Sequence, residues 1–278
     1  MPDMPSHTLP RPTLALTLAL ALGLALGLAA TGAWAQNTAP AASTASAPPA
    51  ATRPASNGFG TGLLVTSEWR PYRGVGNVTQ VFPVLQYENA WIDIWGPVID
   101  LKLHDEGPLL AVLRARYIGS GYDAGDSPAL TGMQDRKDSV WLGTKLQWRA
   151  PVAHLTAEWL ADGSGHSKGQ QLNLRVETLM HAGPVRIAPR VGLQWLDAKY
   201  VNYYYGVSAS EARAGRAAYQ GKSALNPEIG ARFLYSITPA QSTFVDISAT
   251  ALGSSIKRSP IVERSWVPAV RAGYVYSF

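Results

Sequence analysis

The stretch ERSWVPAVRAGYVYSF, from Glu263 to Phe278, decides the fold. Side chains alternate along a strand, so the even positions from Trp266 to Phe278 share one face, while Arg271, Gly273 and Ser277 lie on the other. The first face is apolar and ends in three alternate aromatic residues, and the second is small and polar. A strand with lipid on one side and a polar lumen on the other shows this pattern, so we predict a membrane β-strand.

Composition sets broad limits on the class of protein. The chain has 278 residues, of which 46% are hydrophobic and 15% charged, and this fits both a soluble β protein and a barrel. The sequence has no cysteine, which excludes disulfides, thiolate metal sites and a cysteine nucleophile. Its formal charge is +5, but the Lys and Arg residues are scattered singly and form no basic run. We therefore predict no nucleic-acid partner.

The first 35 residues predict export. A short segment carrying Arg11 precedes an apolar run at 13–30, and Ala33-Trp34-Ala35 then offers small residues at the two positions that signal peptidase recognises. We predict a signal peptide over 1–35, cleaved before Gln36. A membrane-anchoring helix is the alternative, because the run is about long enough to span a bilayer.

Residues 36–57 are rich in Ala, Pro, Ser and Thr. Such a segment buries too little apolar surface to offset its ordering entropy, so we predict a disordered periplasmic leader that acts as a spacer or as a cell-wall tether. No later apolar run is long enough for a spanning helix. Membrane residence must then come from a closed barrel, which we assign to residues 58–278.

Apolar and polar residues alternate repeatedly through residues 58–278, which is the signature of β-strands. No stretch of this region shows a good helical period. Short turns and long polar or aromatic connections also alternate from residue 105 onward, as they do in outer-membrane barrels with short periplasmic turns. We predict an all-β, antiparallel up-and-down barrel in the outer membrane. Parity gives twelve strands if 90–104 is a hairpin turning at Gly96-Pro97, and ten are possible if it is one kinked strand.

Charged residues of both signs fall on the predicted inner face of the barrel. They either pair into a network that fills the lumen or line a narrow aqueous path, which the excess of arginine would make mildly anion-preferring. The predicted luminal charges are Arg114, Arg116, Lys145, Arg175, Glu177, Arg186, Arg190, Glu228, Arg232 and Arg271.

Signals for catalysis are weak. The run GHSKG at 165–169 matches the G-x-S-x-G pattern, but it lies in a polar loop with no helix after it, which disfavours Ser167 as a nucleophile. The histidines of the processed chain are far apart, so we predict no metal site, no cofactor and no catalytic residues. An outer-membrane hydrolase is kept as an alternative by fold analogy alone.

A second loop is rich in tyrosine. Tyr200, Tyr203, Tyr204, Tyr205 and Tyr219 lie close together in sequence. Clustered tyrosines can stack on sugars or anchor an interface, and they can equally form an aromatic girdle or pack the loop itself.

This loop and the closing strand resemble the MipA/OmpV family of outer-membrane proteins. The matching features are YYGVSASEA at 204–212, then Tyr219, SPIV at 259–262 and GYVYSF at 273–278, with P-x-L-x-Y at 83–87. The similarity spans 58–278 and is weaker over 91–104.

The resemblance implies a non-enzymatic scaffold that joins a murein-cleaving lytic transglycosylase to a murein synthase; other members look like porins or surface adhesins. It brings no catalytic residues. It implies contact with outer-membrane lipid and, during biogenesis, with the barrel assembly machinery, which would recognise Tyr274, Tyr276 and Phe278. The family-motif loop, with Tyr200, Tyr204, Tyr205, Gly206 and Tyr219, would be a possible binding region. Murein enzymes are periplasmic, whereas this loop is predicted at the outer end.

Overall fold

The computed structural model describes residues 58–278, and the predicted signal peptide and leader lie outside that range. The described chain consists of thirteen strand segments and two short helices. The strands are β1 (Gly58–Trp69), β2 (Asn77–Glu88), β3 (Ile92–Trp95), β4 (Val98–Glu106), β5 (Leu109–Ile118), β6 (Ser139–Arg149), β7 (His154–Asp162), β8 (Gln170–Glu177), β9 (Met180–Ala182), β10 (Val185–Leu196), β11 (Ala224–Thr238), β12 (Gln241–Ala251) and β13 (Trp266–Ser277). The helices are α1 (Ala198–Tyr205) and α2 (Ser254–Lys257).

The strands form one closed antiparallel sheet. Each pairs with its neighbours in the chain, and β13 pairs with β1, with Ser277 opposite Gly60 and Ala269 opposite Glu68. Segments β8 and β9 pair with successive parts of β10, so together they occupy one strand position. The prediction of a twelve-stranded up-and-down barrel is therefore confirmed.

The hairpin at 90–104 is present, and the ten-strand alternative is wrong. Segments β3 and β4 are joined by Gly96-Pro97, and Gly96 has φ +53°, as the first position of a type II′ turn requires. On the β2 side, segment β3 pairs with residues 86–88 alone. The Leu85 carbonyl accepts from Gly96 N–H and so faces β3. Backbone groups alternate in direction along a strand, so the backbone of Pro83 faces the same side as that of Leu85. Pro83 lies beyond the end of β3, and its missing N–H therefore costs no hydrogen bond between strands.

The barrel wall is apolar outside and mixed inside. Along β13, outward Trp266, Val270 and Tyr274 are exposed, whereas Val267 and Arg271 are buried in the lumen. Bulky outward side chains on other strands are likewise exposed, as expected for a lipid-facing surface.

Connections are sorted by length onto the two barrel ends. The long ones, at one end, are 70–76, 119–138, 163–169, 197–223 and 252–265. The short ones, at the other end, are 89–91, 107–108, 150–153, 183–184 and 239–240. The tight β3–β4 turn is the exception, because it is a short turn on the long-loop side. No helix within residues 58–278 is long and apolar enough to cross a membrane.

Candidate functional site in the barrel lumen

A plug of packed side chains lies at the outer end of the lumen, and helix α1 is its first part. The Asp197 carboxylate accepts a hydrogen bond from Tyr200 N–H at 2.8 Å and so caps the helix N-terminus. The helix ends at Gly206, whose N–H donates to the Asn202 carbonyl at 3.0 Å. Its Tyr200, Val201 and Tyr204 side chains are buried. The sequence shows no good helical period here, because one buried face of eight residues is too short to give a clear one.

The plug packs as one hydrophobic cluster with the loop ends of the strands. The Trp141 ring lies 5.5 Å from the Tyr200 ring, and the Tyr72 and Tyr205 rings stack 5.7 Å apart. Fully buried Leu160 and Ile256 belong to the same cluster. Burial of these large side chains makes the plug part of the barrel core.

Each tyrosine of the family-motif loop has a role in packing. Tyr200 and Tyr204 are buried, Gly206 is buried, and Tyr205 and Tyr219 are half-buried. The hydroxyls bind the chain itself: Tyr204 donates to the Lys137 carbonyl at 3.2 Å and Tyr219 to the Ser255 carbonyl at 2.7 Å. Burial raises the pKa of Tyr200 to about 12, so it stays neutral beside Ser120. This geometry favours loop packing over an exposed binding patch.

Glu211 fastens the motif loop to the connection at 119–138. Its carboxylate accepts from Arg136 Nη2 at 2.8 Å, from Gln134 N–H at 2.9 Å and from Ser208 N–H at 2.9 Å. Burial alone would raise the Glu211 pKa, but the backbone and side-chain donors outweigh it and lower the pKa to about 2.

Below the plug, a first group of charges lines the lumen along the neighbouring strands β4, β5, β6 and β7. Arg114 donates to Asp100 through Nε and Nη2, both at 2.7 Å, and also pairs with Glu158. Lys145 reaches Asp100 at 2.9 Å, and Arg116 reaches Glu158 at 3.2 Å. Every one of these side chains is nearly buried.

A second group is centred on Asp246, which is 0% exposed. Its carboxylate accepts from Arg190 at 2.8 and 2.9 Å, from Arg232 at 2.9 Å and from Arg271 at 3.4 Å. Glu228 extends the group through Arg190 at 3.0 Å. Buried charges need such partners, because an isolated ion in this setting would be very costly.

Eight of the ten predicted luminal charges lie in these two groups, counting Arg175, which approaches Glu228 at 4.0 Å. Glu177 and Arg186 lie nearer the short-turn end, half-buried, with Arg186 3.4 Å from Ser236. The acidic partners Asp100, Glu158 and Asp246 were not predicted as luminal. The same alternation of polar and apolar residues could have indicated them. For Asp246 it lies in the run FVDIS, where a single acidic residue stands within an apolar strand.

A second hydrophobic cluster lies in the lumen towards the short-turn end. It contains Leu64, Trp95 and Phe244. The Trp95 and Phe244 rings lie 6.0 Å apart across the barrel, and the Arg232 guanidinium lies 5.3 Å from the centre of the Phe244 ring. The aromatic plug, the two charged groups and this lower cluster all occupy space in the lumen. A cavity of about 80 Å³ is left between the plug tyrosines and Arg175 with Glu228.

The other predicted residues lie outside the lumen. In the GHSKG run, the Ser167 hydroxyl donates to Asp162 at 2.8 Å, while His166 Nδ1 lies 2.9 Å from the Asp138 carbonyl. The serine is therefore not set against the histidine. At the chain end, outward Tyr276 and Phe278 have ring centroids 5.1 Å apart, and Phe278 N–H donates to the Phe59 carbonyl at 2.8 Å. Tyr274 is outward on the same strand.

Comparisons with known proteins agree with this architecture. The family model described as "MltA-interacting protein MipA" matches residues 59–278. Outer membrane protein Omp26La of Vibrio anguillarum is 29% identical over 162 residues, which is 58% of this chain and 63% of that protein. Outer membrane protein OmpV of Vibrio cholerae is 28% identical over 58% of this chain and 62% of its own length. The chain thus aligns with less than two thirds of each of these relatives.

A longer alignment is found with the MltA-interacting protein of Escherichia coli K12, which is 25% identical over 79% of this chain and 90% of that protein. Among solved structures, the NanC porin has a TM-score of 0.42 and 12% identity, covering 77% of this chain and 98% of its own. An outer membrane channel from Pseudomonas putida F1 has a TM-score of 0.41 and 11% identity, covering 84% and 100%.

The family match covers almost the whole described barrel, and the relatives above include proteins named for the outer membrane. The exposed apolar wall of this barrel suits the same location. The chain is an outer-membrane β-barrel and belongs to the MltA-interacting protein MipA family, the MipA/OmpV family.

Proposed function

We propose that this protein is a non-enzymatic, non-conducting outer-membrane scaffold for murein-remodelling enzymes, a lytic transglycosylase and a murein synthase. The observation that carries the proposal is the occupied lumen, which holds buried ion pairs and two hydrophobic clusters. Its support from relatives is the name of the family, MltA-interacting protein.

A pore needs a continuous aqueous path lined by groups that can release an ion. Here the charges that would line such a path hold one another: Asp246 takes three arginines and Asp100 takes Arg114 and Lys145. Opening a path would break buried pairs, and each lost partner costs about 3–5 kcal/mol. The interior of this barrel is therefore rigid, and we expect contacts with partners at its rims.

The short-turn rim is the proposed contact surface, because murein enzymes act on the periplasmic side. Two turns there carry exposed apolar side chains: Trp91 in 89–91 is 70% exposed and Val152 in 150–153 is 80% exposed. In this proposal, these two side chains are the apolar part of the contact surface. We further propose that residues 1–35 are removed as a signal peptide and that 36–57 form a periplasmic leader on this side.

Capture from an envelope extract tests the scaffold. The immobilised mature protein is expected to retain a murein hydrolase or synthase, and the double substitution Trp91→Ser with Val152→Ser should reduce recovery. A matched control, Lys199→Ser, removes an exposed side chain at the opposite end and should leave recovery unchanged. Recovery of neither enzyme by the intact wild-type barrel would contradict the proposal.

A narrow, mildly anion-preferring pore is the second candidate. It is favoured by the arginine excess of the lumen and by the cavity beside Arg175. The recording described at the end of the Discussion separates it from the scaffold.

A further inference from the structure

The short β3–β4 hairpin leaves a notch in the barrel wall on the long-loop side. Its turn meets β2 at Leu85, whose carbonyl accepts from Gly96 N–H at 2.9 Å, and it meets β5 at Tyr117, whose N–H donates to the Pro97 carbonyl at 3.0 Å. From Leu85, β2 continues to Asn77 with no strand of residues 58–278 beside it on that side. At the level of the turn, three strand spacings, about 14 Å, separate β2 from β5.

The edge of β2 along this notch carries backbone groups without partners. Backbone groups alternate in direction along a strand, and the Leu85 carbonyl faces the notch side, so the backbone groups of Pro83 and Val81 face it too. Within residues 58–278, no other backbone group binds the Val81 N–H or the carbonyls of Val81 and Pro83. The outward Val81 side chain is 62% exposed, so this edge faces the membrane. Hydrocarbon supplies no hydrogen bonds, and an open edge there needs another partner.

The exposure of inward side chains agrees with an opening in the wall. Val78 and Gln80, which point inward from the outer part of β2, are only half-buried. Val267 and Ala269, which hold the same places at the outer end of β13, are buried. Strand β13 is paired on both sides over its length, whereas the outer part of β2 is paired on one side. The inward residues of β2 are therefore more accessible beside the notch.

Polar side chains lie on the outward surface next to the notch. Ser67, Asn77 and Thr79 form a polar trio, in which Asn77 Nδ2 and Thr79 Oγ1 donate to Ser67 Oγ at 2.8 and 3.1 Å. The outward positions that correspond to Asn77 and Thr79 at the outer end of β13 are Trp266 and Pro268. The wall beside the notch thus offers hydrogen bonds where another strand of the same barrel is apolar.

Protein partners fit this edge poorly. Pro83 has no N–H, and a proline on an exposed edge opposes the addition of another strand. A second copy would lie the same way up in the membrane, so its β2 edge would meet this one in parallel and with the same proline. Lipid headgroups and water need no strand register, and they supply both donors and acceptors.

We propose that the notch is a docking site for polar lipid headgroups of the outer leaflet, which descend with water to the edge of β2 and thin the bilayer locally. Headgroup phosphate oxygens accept from Val81 N–H, while ammonium groups, hydroxyls and water donate to the carbonyls of Val81 and Pro83. The polar trio extends this surface to the outer rim. The site is independent of the scaffold contacts and of the occupied lumen.

Spin-label relaxation in vesicles of phosphatidylethanolamine, phosphatidylglycerol and a nickel-chelating lipid tests the site. The chain has no cysteine, so Val81→Cys and Ile247→Cys each give one labelling position in the refolded full-length protein. Ile247 is the matched control, because it is exposed on the continuous wall and lies as far from the outer end of β12 as Val81 does from that of β2. Nickel on the headgroups should relax the label at Val81 several-fold more than the label at Ile247, and dissolved oxygen should show the reverse order.

Three results would overturn the proposal, each obtained with labelled barrels that insert into the vesicles and show normal heat-modifiable migration. Weak nickel relaxation and strong oxygen relaxation at both positions would mean that hydrocarbon fills the notch. Weak relaxation by both agents at Val81 would mean that protein covers the edge. Relaxation at Val81 by a soluble nickel complex alone would mean that water enters without headgroups. None of these results bears on the capture of murein enzymes, so the two proposals fail separately.

Discussion

Arg190 on β10 and Asp246 on β12 form a two-point ion pair past the intervening strand β11, with Nη1–Oδ2 and Nη2–Oδ1 distances of 2.8 and 2.9 Å. Arg232 of β11 and Arg271 of β13 bind the same carboxylate. One acid thereby ties together four strands that include the closing strand of the barrel.

Replacing this acid should weaken the barrel. Asp246→Asn keeps the shape but removes the charge that three buried arginines share, so we expect a loss of about 3–5 kcal/mol in the free energy of unfolding. Urea unfolding followed by heat-modifiable migration measures it. Glu106→Gln, at an exposed outward position, is the control and should change little. Equal stability of the two variants would contradict a structural role for the Asp246 cluster.

Barrel closure depends on a close approach of β1 to β13. A Cβ built on Gly62 would overlap the Tyr274 carbonyl oxygen, which is backbone and cannot turn away. We expect Gly62→Ala to cost about 1–3 kcal/mol in unfolding free energy, as overpacking does. Gly76→Ala is the matched control, since nothing lies within 4 Å of its Cβ. If both variants unfold at the same urea concentration, the strand spacing described here is incorrect.

The chain terminus should direct assembly. Phe278 is exposed outward and contacts the rings of Tyr276 and Phe59. We expect Phe278→Asp to reduce the amount of heat-modifiable barrel in the outer membrane, because a charge replaces an aromatic residue at the lipid boundary. Phe278→Tyr should assemble normally. Wild-type levels of folded Phe278→Asp would argue against the aromatic end as an assembly signal.

The motif loop should loosen in acid through Glu211. Its pKa in the folded protein is about 2, below the usual value of about 4.3. Its contribution to loop docking is therefore complete above about pH 4.3 and is lost as pH falls towards about 2. The hydrogen-exchange protection factors of Val207 and Tyr219, which pair across the loop, should fall over that range, once the intrinsic pH dependence of amide exchange is divided out.

Glu211→Gln is the control for this effect. It should show lower protection factors already at neutral pH, and a smaller change in protection between pH 5 and pH 2 than wild type. An identical pH profile in both proteins would assign the acid sensitivity to groups other than Glu211.

Much of the fold prediction depended on the alternation of apolar and polar residues along each strand. The inward position of Arg271 and the outward aromatics of β13 follow from a period of two, and the hairpin at Gly96-Pro97 follows from strand parity. These features depend on neighbouring residues in the sequence or on the number of strands, so they could be predicted from the sequence alone.

The plug and the ion-pair partners were not accessible in the same way. Helix α1 has only eight residues, and its capping Asp197 was the one local signal for its start. The pairing of Arg190 with Asp246 depends on which side chains meet inside a closed barrel, and 56 residues of sequence separate them. The break between β8 and β9 at 178–179 likewise leaves little trace in the hydrophobic pattern.

Planar-bilayer recording of the refolded full-length protein tests whether the lumen is closed to ions. A general porin in the same bilayer shows that insertion and detection work, and the heat-modifiable band shows that the protein is folded. We expect no conductance steps above background, since the plug, the paired charges and the lower cluster occupy the lumen. Stable, reproducible steps from the folded wild-type protein would contradict the filled lumen and favour the anion-preferring pore.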